Sequence, residues 1–263
     1  MNHPLISIVT IVFNNVQSIE KTVKSVIEQS YPNFEYIVID GASTDGTVAL
    51  LNKYSDQIHQ LVSEPDKGLY DAMNKGVDRC NGDYVIFMNS GDWFYNNNVL
   101  KEIFTSADMR EYDFIYGATE LRTESGSRIY KSGNASNFWK KLVIHQSLFT
   151  KREICLSNKF DLSYKVSADF DFIYKLFFFR HKFKQLDVVV SSFDMVGYSH
   201  HHRYIGFKED RKIALKYEGR RLLSYRVYLH YVKISALGRT VDFLKGYLPT
   251  VYTPLKKLWN RNT

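Results

Sequence analysis

The N-terminal half of the chain alternates apolar, strand-like runs with amphipathic segments, and this pattern most constrains the fold. Residues 5–13 read LISIVTIVF, a β-branched run typical of a strand buried on both faces of a parallel sheet. Residues 18–30 repeat apolar positions at helical spacing, and further strand-like runs occupy residues 36–39 and 84–88. The alternation predicts an α/β fold with a doubly wound, mostly parallel sheet flanked by helices.

Polar residues follow three of these predicted strands. Asn14, Asp40 and Asp92 each stand where a strand ends. In open α/β sheets, ligands bind beyond the carboxyl ends of the strands, so three polar groups at that edge predict a functional site. Any one of them is also an ordinary turn former.

The second half of the chain is less regular. Residues 113–117 are compatible with another strand, residues 119–140 are polar and rich in turn formers, and residues 168–180 have the apolar spacing of a helix. Gly68 to Val77 also reads as a short helix.

Charge divides the chain into two parts. The net charge is +7, but residues 203–263 carry 14 Lys/Arg against 4 Asp/Glu, whereas residues 1–202 are slightly acidic. We therefore predict an α/β domain over residues 1–202 and a basic, amphipathic helical C-terminal extension over residues 203–263. A basic extension predicts an anionic partner, either nucleic acid or a membrane surface.

Other features of the sequence favour a cytoplasmic protein. No apolar run reaches the ~18 residues of a spanning helix, and the first residues lack the pattern of a secretory signal. The two cysteines, Cys80 and Cys155, are too few for a disulfide framework or a cysteine metal site.

Five segments, in order, resemble the family 2 glycosyltransferases: residues 6–15, 40–47, 66–77, 83–92 and 145–171. DGASTDGT at 40–47 is similar to the family's acidic turn after the second strand. DKGLYDAMNKG at 66–76 resembles the segment before its metal-binding strand, and NSGD at 89–92 resembles the metal-binding turn. The resemblance implies a GT-A fold over roughly residues 5–200, a nucleotide-diphosphate sugar as donor, and a divalent metal, Mn²⁺ or Mg²⁺.

The resemblance also implies which acids act in catalysis. Asp169 matches the general base, although Ala168 replaces the first acid of the pair that is common there, and Asp171 is the less favoured alternative. Asp92 matches the metal ligand, while Ser90 replaces the first acid of the family's Asp-x-Asp turn. His200 is a candidate second metal ligand, or a solvated loop histidine.

The remaining site residues are implied by the same match. The nucleotide-sugar-binding set is Thr10, Phe13, Asn14, Asp40, Asp45, Lys67, Asp71, Asn74 and Ser90, and the acceptor side holds His145 and Gln146. Simpler roles stay open for some of them. Asp45 is equally suited to capping a helix, Asp71 to the first turn of a helix, and His145 to a structural role.

The implied activity is inverting transfer of a hexose, with UDP-hexose favoured as donor. The implied acceptor is a hydroxyl of a polyprenyl-diphosphate-linked saccharide in bacterial O-antigen or exopolysaccharide synthesis. The protein would lie at the inner face of the cytoplasmic membrane as a peripheral protein, docked by its basic extension.

Two alternatives remain from the sequence. A nucleic-acid-binding protein is disfavoured, because residues 1–202 are acidic and the chain has no helix-turn-helix, zinc or RNP-like pattern; nucleic acid is therefore not among the predicted partners. A degenerate nucleotide-binding module without turnover is the other, because both acid pairs are reduced to single acids.

Overall fold

The computed structural model describes residues 3–105, 109–124, 126–133, 143–195, 197, 202–218, 229, 232–233 and 236. The chain forms two compact units, Met1–His202 and Arg203–Thr263. The membrane-associating role of the second unit stays a prediction.

The first unit contains nine strands and six α-helices within its described residues. The strands are β1 (Ile6–Val12), β2 (Phe34–Asp40), β3 (Gln60–Ser63), β4 (Tyr84–Phe87), β5 (Trp93–Phe94), β6 (Phe114–Thr123), β7 (Gly126–Tyr130), β8 (Leu148–Lys151) and β9 (Phe183–Asp194). The helices are α1 (Ile19–Ile27), α2 (Thr47–Leu51), α3 (Leu69–Arg79), α4 (Val99–Thr105), α5 (Arg152–Ser157) and α6 (Ala168–Phe178), with 3₁₀ turns at Asn52–Tyr54 and His145–Ser147.

All nine strands belong to one mixed sheet with the order β3-β2-β1-β4-β8-β6-β9-β5, and β7 pairs with β6. Strands β3, β2, β1 and β4 are mutually parallel. Beyond β4 the strand directions are mixed: β8 is antiparallel to both β4 and β6, β6 is parallel to β9, and β5 is antiparallel to β9. The predicted α/β sheet flanked by helices is confirmed, with a parallel half and a mixed half.

The core forms where the predicted apolar faces meet. Every residue of β1 is buried, as expected for a central strand with neighbours on both sides. Helix α1 buries Ile19, Val23 and Val26, which are spaced to share one face, in the same core cluster as Ile8 of β1. Each fully buried side chain of this size contributes roughly 1.5–3 kcal/mol. This core fixes the strands whose ends carry the polar residues.

The mixed half of the sheet departs from the sequence prediction. Strand β6 continues to Thr123 and forms a hairpin with β7, where the polar composition indicated turns. The strand is stabilised beyond residue 117 because it also pairs with β9, and Thr119 and Leu121 are buried against the sheet. Long-range pairing therefore outweighs the local preference of these residues.

The described part of the second unit consists mainly of helix α7 (Arg203–Glu218). Among the described residues of the whole chain, no helix combines the length and the apolar character needed to cross a bilayer.

Candidate active site

The carboxyl ends of β1, β2 and β4 open onto the same edge of the sheet. Val12 at the end of β1 pairs with Asp40 at the end of β2, and Val9 pairs with Phe87 at the end of β4. This register places Asn14, Asp40 and the loop from Asn89 to Asp92 at one edge, as the sequence predicts.

Asp40 presents an unsatisfied oxygen at this edge. Its side chain is fully buried, and Oδ2 accepts hydrogen bonds from Ser43 N at 2.9 Å and Ser63 Oγ at 2.6 Å. Oδ1 is buried and has no hydrogen-bond partner among the described residues. A buried carboxylate oxygen without a donor is costly, so this atom is suited to accept an N–H or O–H from a ligand.

An exposed aromatic ring lies next to Asp40. Phe13 follows β1 and is 63% exposed, which is unusual for a phenylalanine. Gly41 allows the close approach of its neighbours, since a Cβ there would lie 2.5 Å from Asp66 Oδ2 and 3.2 Å from the Phe13 ring. The exposed Phe13 ring next to Gly41 offers a flat apolar surface at the edge of the sheet where Asp40 lies.

Asn14 and Asp45 tie the loops after β1 and β2 together. Asn14 has a φ of 46°; its N–H donates to Ser43 Oγ at 2.7 Å, and its Oδ1 accepts from Thr44 N at 2.8 Å. Asp45 accepts from the side chain and backbone of Thr47 at 2.6 and 3.0 Å, and from Val16 N at 3.0 Å. The Thr47 hydroxyl, followed by the Val16 N–H, lowers the pKa of Asp45. Asp45 thus contacts the first residue of α2 from the position before the N-cap, while the N-cap itself is Gly46 and has no side-chain capping hydrogen bond.

The segment around α3 carries Lys67, Asp71 and Asn74, three of the predicted nucleotide-sugar-binding residues. Asp71 Oδ2 accepts from Lys67 N at 2.9 Å, while the side chain of Lys67 is exposed. Asn74 uses both ends of its carboxamide on Phe160, donating to its carbonyl and accepting from its N–H at 2.9 Å each. Asn74 thus links α3 to the backbone at Phe160.

The prediction that Thr10 lies on the loop beside the nucleotide is wrong. Thr10 is an interior residue of β1 and is fully buried. Its hydroxyl donates to Met88 O at 2.8 Å and accepts from Tyr36 Oη at 3.0 Å. Because β1 is a central strand whose residues are all buried, the Thr10 side chain packs inside the unit, where its hydroxyl bonds the residue that follows β4.

Asp92 is enclosed by donors from three other elements. The carboxylate is 5% exposed; Oδ2 accepts from Gln146 Nε2 at 2.7 Å, and Oδ1 accepts from Asp194 N at 2.8 Å. Arg122 Nη2 lies 3.6 Å from Oδ1. Burial raises the pKa of Asp92 to about 7, although these partners oppose the shift. Gly91, with a φ of 98°, provides the left-handed turn before this residue.

Arg122 is a site residue that sequence reasoning missed. It donates to the Gly91 carbonyl and lies 3.5 Å from the centre of the Trp93 ring. Lys21 Nζ lies 3.3 Å from the same centre, so the two cations must occupy opposite faces of the indole. No local pattern marks Arg122, because it belongs to the polar segment whose strand forms by long-range pairing. Ser90, on the same loop, accepts from Asn15 Nδ2 at 2.9 Å.

Asp169 lies in the first turn of α6 and is held by donors on both oxygens. Oδ1 accepts from Phe170 N at 2.9 Å and lies 3.0 Å from Tyr70 Oη, while His145 Nδ1 lies 3.0 Å from Oδ2. The side chain is 21% exposed. Asp171 is instead buried and pairs with Lys175 at 3.0 Å. Of the two acids, Asp169 contacts His145 and Tyr70 and is partly exposed, whereas Asp171 is buried.

The sequence matches Glycosyl transferase family 2 over residues 7–177. The chain belongs to this family. It is 27% identical over 186 residues to a PGL/p-HBAD biosynthesis glycosyltransferase of Mycobacterium bovis, an alignment that covers 67% of this chain and 71% of the relative. It is also 34% identical over 131 residues to the putative teichuronic acid biosynthesis glycosyltransferase TuaG of Bacillus subtilis, covering 49% of this chain and 52% of TuaG.

Two solved structures share the fold of this glycosyltransferase. TarS 1-349 of S. aureus in complex with UDP-GlcNAc superimposes with a TM-score of 0.69 at 17% identity, covering 93% of this chain and 76% of TarS. The mannosyltransferase PcManGT of Pyrobaculum calidifontis, in complex with GDP-Man and Mn²⁺, gives 0.63 at 18% identity, covering 100% of this chain and 82% of PcManGT. The predicted GT-A fold of the glycosyltransferase is confirmed.

The residues at the loop after β4 suit a hard divalent cation in their chemistry. Within the described ranges, no group of three or more His, Cys, Asp or Glu side chains is arranged to hold a metal ion, and His200 lies outside the described residues. Asp92 supplies one carboxylate, whose oxygens each keep a lone pair beyond the hydrogen bond they accept. Mg²⁺ and similar ions often take one protein carboxylate and complete their shell with phosphate and water.

Proposed function

We propose that this glycosyltransferase moves a hexose from a nucleotide-diphosphate sugar to a hydroxyl of a saccharide acceptor, with inversion at the anomeric carbon. The observation that carries the proposal is the buried Oδ1 of Asp40, which has no hydrogen-bond partner among the described residues, together with the exposed ring of Phe13 next to Gly41, the residue that follows Asp40. We infer that this is the nucleobase pocket of the donor site.

A uracil ring suits the pocket. Its N3–H would donate to Asp40 Oδ1 and satisfy the buried oxygen, and its face would stack on Phe13. UDP-hexose is therefore the favoured donor, in line with the shared fold of TarS, which was solved with UDP-GlcNAc. Asn14 and Asp45 would then act on the donor indirectly, by holding the two loops that border the pocket.

We infer that Asp92 would hold a divalent cation, Mn²⁺ or Mg²⁺, with His200 as a further candidate ligand. When bound, the cation supplies positive charge to the leaving diphosphate. PcManGT, which shares the fold, was solved with Mn²⁺ and a nucleotide sugar. Arg122 lies 3.6 Å from Asp92 and brings a second, permanent positive charge to this loop.

Asp169 is proposed as the general base. It takes the proton of the acceptor hydroxyl while the acceptor oxygen bonds to the anomeric carbon and the bond from that carbon to the diphosphate oxygen breaks. The electron pair of the broken bond leaves with the diphosphate. Because the displacement is direct, an α-linked donor gives a β-linked product. His145 and Gln146, which contact Asp169 and Asp92, border the acceptor side.

The acceptor is proposed to be a polyprenyl-diphosphate-linked saccharide in the synthesis of a bacterial surface polysaccharide. The names of TuaG and of the mycobacterial relative assign those proteins to glycoconjugate biosynthesis. The excess of 14 Lys/Arg over 4 Asp/Glu in residues 203–263 supports a peripheral location at the inner face of the cytoplasmic membrane. Nucleic acid is not proposed as a partner.

A donor screen tests the proposal. The full-length protein is incubated with UDP- and GDP-hexoses, Mn²⁺ or Mg²⁺, and a short lipid-diphosphate-linked GlcNAc or GalNAc, and products are followed by mass spectrometry. We expect one UDP-hexose to give a β-linked product in a metal-dependent way. Binding of UDP without turnover, with every donor and acceptor, would instead indicate a degenerate nucleotide-binding module.

A further inference from the structure

We infer that His145 is a positioning residue for the base, and that Asn89 controls which of its nitrogens carries a proton. This inference rests on the proposed role of Asp169. His145 Nδ1 lies 3.0 Å from Asp169 Oδ2, and Nε2 lies 3.1 Å from Asn89 Nδ2. A single chain of hydrogen bonds thus joins the loop that carries Asp92 to the helix that carries Asp169.

The partners of His145 define its resting form. The carboxamide N–H of Asn89 donates to Nε2, which leaves Nδ1 as the protonated nitrogen, and Nδ1–H then donates to Asp169 Oδ2. The imidazole is neutral in this form. With Phe170 N on Oδ1, the donor on Oδ2 fixes the carboxylate plane, so that its remaining lone pairs have a defined direction toward the acceptor.

The carboxamide oxygen of Asn89 allows a second arrangement of the hydrogen bonds that join Asn89, His145 and Asp169. Asn89 Oδ1 is buried and has no hydrogen-bond partner among the described residues. When His145 is protonated, Nε2–H needs an acceptor, and rotation of the carboxamide by half a turn brings Oδ1 to that position. Asn89 can therefore accommodate both the neutral imidazole and the imidazolium, which is the arrangement expected beside a group that receives a proton in each turnover.

Charged groups from α6 and from the loop after β4 face His145. Asp169 faces it from α6, and the charge of Asp92 acts on it from the loop after β4. Arg122 of β6 and the backbone of Asp194 at the end of β9 contact Asp92 itself. A proton on both nitrogens of His145 would place a positive charge against Asp169 and weaken it as a base, so turnover should fall when the imidazole is protonated.

Kinetics of two variants test the inference. H145Q should lower kcat about 10- to 100-fold with the donor KM unchanged, and should move the acidic limb of the kcat–pH profile to lower pH, since the carboxylate then titrates alone. N89D should move that limb to higher pH, because a carboxylate stabilises the imidazolium. The matched control is H181Q, which removes a second His–Asp pair of the same unit, His181 with Asp113 at 3.3 Å. It should change neither quantity.

A measurement without turnover separates this inference from the proposed function. In the full-length protein with ¹³C-labelled histidine, the NMR titration midpoint of His145 should fall in D169N and rise in N89D, while that of His181 stays constant. An unchanged midpoint in D169N, or an H145Q variant with the wild-type acidic limb, overturns the inference. Coupled titration in a protein that transfers no sugar would refute the proposed function and leave the His145–Asp169 pair standing.

Discussion

The hydroxyl of Tyr70, on α3, reaches two acceptors at the start of α6: the Val166 carbonyl at 2.6 Å and Asp169 Oδ1 at 3.0 Å. Both acceptors are within hydrogen-bonding distance of the same hydroxyl, so Tyr70 holds the turn before α6 and contacts the proposed base as well. Helix α3, from the segment matched to the donor site, is in this way linked to the base.

We expect D169N to lower kcat by about 10²–10⁴-fold, because the variant lacks a proton acceptor at the reacting hydroxyl. The affinity for UDP, measured by calorimetry, should stay within about twofold, since Asp169 does not contribute to the proposed nucleobase pocket. D171N is the comparison, because Asp171 is buried against Lys175. D171N should lower Tm, and it should lower kcat much less than D169N does. Near-normal turnover in D169N would refute its role as base.

Y70F should lower kcat by about 10-fold and Tm by a few degrees, because the loss of one buried hydrogen bond costs about 1 kcal/mol and loosens the turn before α6. The KM for the donor should not change. Calorimetric unfolding and steady-state kinetics check the two effects, and loss of stability without any loss of kcat would show that Tyr70 does not act through Asp169.

D40N should weaken UDP binding by about 10- to 100-fold, because a hydrogen bond to a charged acceptor contributes roughly 1.5–3 kcal/mol. The control is S63A, since Ser63 contacts the other oxygen of Asp40 and leaves Oδ1 in place. S63A should weaken UDP binding far less. If D40N and S63A bind UDP equally well, the nucleobase lies elsewhere.

The pKa of Asp92, raised by burial to about 7 in the folded protein, predicts a pH dependence of stability. The folded state binds more protons than the unfolded state between about pH 4 and about pH 7, so the free energy of unfolding falls as pH rises through that window. The carboxamide that D92N introduces cannot titrate in this range. In EDTA, the Tm of D92N minus that of the wild type should therefore become more positive with rising pH.

A carboxylate with the opposite shift provides the control for that experiment. Burial alone would raise the pKa of Asp113, but hydrogen bonds from Lys182, His181 and Lys151 lower it overall. Its stabilisation is present above the unfolded-state pKa and is lost only in stronger acid. The Tm difference for D113N should not become more positive between about pH 4 and about pH 7, and a rise equal to that of D92N would refute the assignment to Asp92.

The basic extension can be tested by charge reversal. K256E/K257E should weaken binding to vesicles that contain anionic lipid, since each basic residue near such a surface contributes about 1 kcal/mol. The double variant K53E/K101E changes the net charge equally but within the first unit. If both variants lose vesicle binding to the same degree, total charge rather than the extension controls docking.

The sequence predicts the residues at the ends of β1 and β2 better than it predicts the surroundings of Asp92. The run at residues 5–13 and Asp40 lie in consecutive parallel strands, where local pattern and fold agree, so their meeting at one edge follows from topology. Arg122 and the Asp194 N–H reach Asp92 only because β6 and β9 pair across a long stretch of intervening chain. The family resemblance assigns Thr10 to the nucleotide-sugar-binding set, whereas the run at residues 5–13 predicts a strand buried on both faces, and the structure places Thr10 in that buried strand.

The change of strand direction beyond β4 also separates the proposed nucleobase pocket from the residues proposed to act on the acceptor and the diphosphate. The proposed nucleobase pocket is built on β1 and β2, whereas His145, Asp169 and Arg122 all come from the chain after residue 113. If the proposed roles hold, sequence changes in the mixed half would alter which acceptor is used and leave the proposed nucleobase pocket unchanged. Chimeras that exchange the chain after β4 between relatives should keep the donor of one parent and adopt the acceptor of the other.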